Sequence, residues 1–261
     1  MRNRCYRVFT MLVMFAVFLG HLSAGETDKK PIAITVAAAA SLRYSFEDEL
    51  IPMFQKMHPW ITVEGTYDSS GKLQRQIENG LDAAVFMSAA TKQMDELLEK
   101  KFIEPSSVVP LLENKIVLIR PAEAATEIAS FPDALKAGMI ALGDPDSVPA
   151  GQYAHEIFTS FAIWDAIAAK ASFGTNVTEV LHWVAEGSAD VGVVYATDAA
   201  TTKKVAVICE APEGSLKQKV VYPVGILTAS ANKNEAKLFI DFLASDESVA
   251  VFEKYGFAAN K

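Results

Sequence analysis

From residue 32 onward, short apolar runs alternate with stretches whose apolar residues recur at helical spacing. Ile32–Ala37 reads as a buried strand. Tyr44–Met57 places Phe46, Leu50, Phe54 and Met57 on one helical face. Thr62–Tyr67 and Ala83–Met87 read as strands, and Gly71–Asn79 and Lys92–Lys101 as helices. A second set runs through strands at Lys115–Arg120, Met139–Leu142, Val191–Tyr195, Val205–Cys209 and Val220–Leu227. Its helices are Gly151–Ile167, Val177–Gly187, Glu235–Ala244 and Ser248–Tyr255. Strands joined through helices give parallel pairing, with helices on both faces of the sheet. Two such sets without a long linker predict two lobes joined by more than one crossing. Ligands in these sheets sit beyond the carboxyl ends of strands.

The 261 residues are 51% apolar, enough for one large core or two small ones. A formal net charge of −8 argues against nucleic acid and anionic membrane surfaces as partners. Taken alone, it favours a neutral or cationic ligand. Two cysteines cannot form a disulfide scaffold.

The amino-terminal residues read as a leader. Arg2, Arg4 and Arg7 precede an uncharged apolar run, Val8–Gly20, followed by His21, Leu22, Ser23 and the small Ala24 before polar sequence. This is the pattern of a cleavable secretory signal, and the run is short for a membrane span. Cleavage is expected near Ala24. Cys5 precedes the run, so it is not placed as a lipidated cysteine. Removing the leader takes three arginines and no acid, leaving a charge of −11. Cys209 is then alone in an apolar stretch and reads as a buried, inert thiol.

Few catalytic patterns survive inspection. His58, His155 and His182 show no metal-ligand spacing. Gly65 and Gly71–Lys72 miss the phosphate-loop spacing. Ser69 and Lys72 match the S-x-x-K pattern of penicillin-recognising enzymes, but the partner motifs S-D-N and K-T-G are absent. An exported serine hydrolase using Ser69 and Lys72 is therefore the rival from a different class.

The strand-to-helix joints carry more. Ser41, Ser69–Ser70, Val148–Gly151 and Thr175–Glu179 each precede a helix, and Asn176 and Glu179 have the capping-box spacing. Ser, Thr and Asn cap helices everywhere, so one joint means nothing. Four, in lobes that face each other, offer free N–H groups and dipole ends that together can hold an anion without lysine or arginine.

With these joints in view, the sequence resembles the periplasmic molybdate-binding proteins of ABC importers. The motifs are A-A-A-S-L at Ala38–Leu42, S-S-G-x-L at Ser69–Leu73, G-D-P-x-x-V-P-A-G at Gly143–Gly151 and G-x-V-Y at Gly192–Tyr195. Tyr255–Gly256–Phe257 is similar as well. The resemblance implies an α/β, two-lobed class II binding protein, each lobe a mixed, mostly parallel sheet flanked by helices. It implies a leader at 1–24, lobe one at 25–112 and 221–261, and lobe two at 113–220. It implies that Ser41 and Ser70 offer hydroxyls and amides, Ala150 and Val177 backbone amides, and Tyr195 its hydroxyl.

The implied protein is no enzyme. It would have no cofactor and no protein ligand on molybdenum itself. It would capture molybdate, and tungstate as a near-isostere, in the periplasm and deliver it to a membrane permease, acting as a monomer. A receptor for sulfate or phosphate is the rival within the class. Two departures stand out. Asp82–Ala83–Ala84 replaces the family's P-A-D, and Asp68 puts a carboxylate beside Ser69, where its side chain is expected to point away.

Overall fold

The structure, a computed structural model, describes residues 30–260. The expected leader, with Cys5, lies outside the described residues. In the first part of the chain β1 (Ile32–Ala39) leads into a composite helical segment. It consists of a 3-10 turn (Ala40–Leu42), α1 (Arg43–Ser45), a π-turn (Phe46–Leu50) and α2 (Ile51–Met57). Pro52 accounts for the π-turn. It has no N–H for the Asp48 carbonyl, and its ring would crowd that oxygen in a regular α-helix. In the wider turn Ile51 N–H reaches the Phe46 carbonyl. Next come β2 (Ile61–Asp68), α3 (Ser70–Glu78), β3 (Val85–Met87), α4 (Thr91–Glu99) and β4 (Val109–Asn114).

The second part holds β5 (Ile116–Pro121), β6 (Ile140–Gly143), α5 (Pro149–Ser160), α6 (Trp164–Ala168) and β7 (Ala171–Gly174). It continues with α7 (Val177–Ala185), β8 (Val191–Tyr195), α8 (Ala196–Ala200) and β9 (Val205–Glu210). The chain then returns through β10 (Val220–Ile226), α9 (Lys233–Leu243), α10 (Asp246–Lys254) and β11 (Ala258–Ala259).

Two sheets result, ordered β11-β4-β10-β3-β1-β2 and β7-β6-β8-β5-β9. They are mixed, as expected, but not mostly parallel. Parallel pairing is confined to β3-β1-β2 and β7-β6-β8, while β4, β5, β9, β10 and β11 pair antiparallel. Apart from the terminal β11, the antiparallel strands lie where the chain passes between sheets: only Lys115 separates β4 from β5, and residues 211–219 separate β9 from β10. The expected lobe limits at 112/113 and 220/221 thus fall inside β4 and at the start of β10.

Alternation along the strands sorts the core. Ala37 and Phe86 face α3 and α4, packing with Leu73, Ile77, Met94 and Leu97. Val36, Ala38, Val85 and Met87 face the opposite way, into the larger cluster with Phe46, Phe54, Phe239 and Phe252. Sheet one is therefore covered on both faces.

The helix expected over Gly151–Ile167 is two helices. After Ser160 the chain turns through Ala162 at φ 56°, where Ala162 N–H and Ile163 N–H close back on Thr159 and Phe158. This left-handed stop lacks the glycine that usually marks it. Cys209 is half-buried rather than buried, and burial still raises its thiol pKa.

Candidate functional site

Ser41, Ser70, Ala150, Val177 and Tyr195 all lie at the carboxyl ends of parallel strands. Ser41 follows β1 in the 3-10 turn, and Ser70 is the first residue of α3, after β2. Ala150 is in the first turn of α5 after β6, Val177 begins α7 after β7, and Tyr195 ends β8. Three of the helices so begun are long enough to carry a useful dipole, and their first N–H groups have no intrahelical acceptor.

Hydrogen bonds bring these residues together from both sheets. Ala89 N–H donates to Ser70 Oγ at 3.0 Å, and the Tyr195 hydroxyl donates to the Ala89 carbonyl at 3.1 Å. One backbone unit thus joins a hydroxyl of each lobe. Because Ser70 Oγ accepts from Ala89, its own hydrogen remains free to donate. Ser41 Oγ shares a 3.0 Å hydrogen bond with the hydroxyl of Tyr222, whose ring meets that of Tyr195 edge-on at 5.5 Å. Asn114 Nδ2 donates to both the Tyr222 hydroxyl and Thr197 Oγ1, tying β4 to α8. α7 packs against the turn that carries Ser41, bringing Val177 to the same region.

The loop before Ala150 is built by its own sequence. Asp144 accepts from Asp146 N–H and from the Ser147 hydroxyl, while Val148 N–H returns to the Asp144 carbonyl. Gly143 and Gly151 let strand end and helix start touch, since a Cβ at 151 would lie 2.1 Å from the Gly143 oxygen. This turn aims the Ser147 carbonyl at Gly71 N–H, 3.0 Å away, across the lobes. α7 is capped by Asn176 Oδ1, which accepts from Glu179 N–H at 3.0 Å. The Glu179 carboxylate reaches back to Thr175 N–H instead of Asn176 N–H. The capping box is therefore displaced by one residue at its return arm.

Ser70, Ala150, Val177 and Tyr195 are buried, and Ser41 is partly so. Burial pushes the phenols of Tyr195, Tyr222 and Tyr153 above their ordinary range, so all remain O–H donors near neutrality. The Asp198 carboxyl is also pushed up by burial, to about 7, and the Tyr195 backbone N–H opposes the rise.

The remaining predicted residues lie apart from this chemistry. Asp68 accepts from Ser69 N–H at 2.8 Å and pairs with Lys72 at 3.4 Å, so its carboxylate is engaged on its own turn. Ser69 Oγ is buried with no partner among the described residues, and Lys72 does not meet it. His58 packs between Phe54 and Trp60, His155 packs on Trp164, and His182 sits in the last turn of α7. Ala83 and Ala84, where the P-A-D pattern is lost, are buried beside β1.

Tyr222, Asn114, Ala89 and Asp198 went unnoticed in the sequence. Asn114, a polar residue ending an apolar strand, was the available signal. Tyr222 sits in a strand pattern where an aromatic passes as core.

A family model described as bacterial extracellular solute-binding protein matches residues 34–258. YvgL of Bacillus subtilis (strain 168), named as an ABC transporter substrate-binding lipoprotein, is 38% identical over 250 residues, spanning 96% of this chain and 95% of YvgL. The molybdate-binding protein ModA of Escherichia coli (strain K12) is 35% identical over 230 residues, spanning 86% and 88%. The periplasmic molybdate-binding protein of Azotobacter vinelandii superposes with a TM-score of 0.74 at 22% identity, covering 87% of this chain and all of that one.

Proposed function

The chain belongs to the bacterial extracellular solute-binding proteins, and on that premise we propose that it captures molybdate between its lobes and delivers it to the permease of an ABC importer. The carrying observation is the Ser70–Ala89–Tyr195 bridge, which sets one hydroxyl from each lobe on the same backbone unit. Around it, helix starts from both sheets supply N–H donors without formal charge. Ser41, Ser70 and Tyr195 would donate hydroxyls, and Ala150 and Val177 backbone amides. Tyr195 would exchange the Ala89 carbonyl for the anion. Closure excludes water and strengthens each bond. A donor set suits a fully deprotonated dianion, tungstate included. Hydrogen phosphate would need an acceptor for its proton, and sulfate is discriminated by size.

The protein acts as an exported monomer, cleaved near Ala24, with no cofactor of its own. Hydrolysis is disfavoured because Lys72 is held by Asp68 rather than by the Ser69 hydroxyl. Calorimetry of the mature chain with molybdate, tungstate, sulfate and phosphate tests the reading. Micromolar molybdate should bind and stabilise the fold by RT ln(1 + [L]/Kd), seen as a higher melting temperature, while sulfate does not. Undiminished binding by Ser70→Ala would defeat the site assignment.

A further inference from the structure

Asp198 takes no part in the donor set described above, yet it is buried three residues after Tyr195. It lies in the first turn of α8, the helix whose N-cap is Tyr195. Its side chain is buried, and Oδ2 has no hydrogen-bond partner among the described residues. An ionised carboxylate in such a place costs heavily unless paired.

The surroundings offer no counter-charge. α8 packs against α7, β5, β8 and β9, and Thr197 receives Asn114 of β4. Asp198 itself is shifted by burial, opposed only by the backbone N–H groups of Tyr195 and of Asp198. The phenols that feel its charge are Tyr195 and Tyr222, which Tyr153 of α5 also raises. Glu179 and His182 of α7, Arg120 of β5, Cys209 and Glu210 of β9 and Glu113 of β4 make no pair with it and are not among the causes of its shift. Tyr195 and Tyr222 are in turn the groups that link to Ser41, Ala89 and, through Ala89, Ser70. A negative charge on Asp198 would thus be felt where an oxyanion is to be held.

We propose that Asp198 is an affinity-determining residue of this site: anion capture requires its carboxyl to be neutral, so binding of a dianion is coupled to uptake of one proton from solvent. The inference rests on the anion-capture reading. Asp198 does not touch the anion; it acts through Tyr195 and Tyr222. The neutral acid removes the repelling charge. Its folded-state value of about 7 puts the coupling within a range where molybdate stays a dianion.

The test is isothermal titration of the full mature chain with molybdate at pH 6, 7 and 8, each in two buffers of different ionisation enthalpy. The Kd should weaken about tenfold from pH 6 to pH 8. Proton uptake should be near one at pH 8 and near zero at pH 6. Asp198→Asn should hold the pH 6 affinity throughout and take up no proton. A flat wild-type Kd with no uptake, or an Asp198→Asn profile like wild type, would overturn the inference while leaving anion capture standing. Should the variant not fold, the wild-type proton count decides alone. Binding of none of molybdate, tungstate, sulfate and phosphate at pH 6 would overturn the capture reading and this inference with it.

Discussion

At the scale of single residues, the site depends on side chains that are missing as much as on those present. Gly71 is an example. A Cβ there would lie 2.5 Å from the Ser147 oxygen, an inter-lobe contact made by backbone on both sides. Gly71→Ala should therefore oppose closure while leaving each lobe intact. A cost of about 1–3 kcal/mol, the usual range for overpacking, predicts molybdate binding weaker by roughly tenfold or more in calorimetry, with the unliganded melting temperature little changed. Asp198 predicts a stability effect separate from binding. Its pKa rises from 3.8 to about 7 on folding. Its contribution to stability is full below pH 4, falls as pH rises to about 7, and is flat above. The loss across that window is up to about 4 kcal/mol. Urea denaturation of Asp198→Asn between pH 4 and 8 should show that particular loss removed.

Elements show where sequence reading works and where it fails. The parallel β-α units were legible because periodicity, capping residues and small residues agreed at each joint. Asn176 is such a case: its side chain caps α7 as the spacing suggested. Asn176→Ala should cost about 1 kcal/mol in chemical denaturation. β4 was missed because Pro110 breaks its pattern, and it faces Pro223 across the ladder where the register shifts. Neither proline can donate there, so the pairing rests on tertiary context that no local pattern carries. β7 is a four-residue edge strand, too short for a period to emerge. The end of α5 was missed because alanine, not glycine, takes the left-handed position at 162. Ala162→Gly should stabilise the protein by about 0.5–1 kcal/mol, read as a shift in denaturation midpoint at constant slope. The neighbourhood of the proposed site shows the same division in its local structure. Residues at helix starts were legible, whereas Tyr222 and Asn114 reach it from antiparallel strands that have no such signature.

For the molecule as a whole, charge and ligand pull in opposite directions. The described chain is acidic, yet Arg43 lines a cleft of about 530 Å³ beside Ala40 and the first turn of α7. Arg43→Gln should slow molybdate association roughly 2–5-fold at low ionic strength, with the difference vanishing in high salt and the dissociation rate unchanged. Stopped-flow measurement across a salt series would check it. Buried amides and hydroxyls make the net charge a poor guide to the ligand, because solvent screens distant carboxylates far more than it screens a closed site.

The two passages between the sheets run side by side. Lys115 pairs with Glu210 at 2.9 Å, and Ala211 N–H bonds the Ile116 carbonyl. Mechanically, this is a body hung on two adjacent pivots, one of a single residue and one with slack. Two adjacent short crossings restrain sliding of one half against the other more than they restrain bending about the line through them. Bending confined to such a hinge returns the donors of the two halves to similar mutual positions on each closure, with little guidance from the cargo.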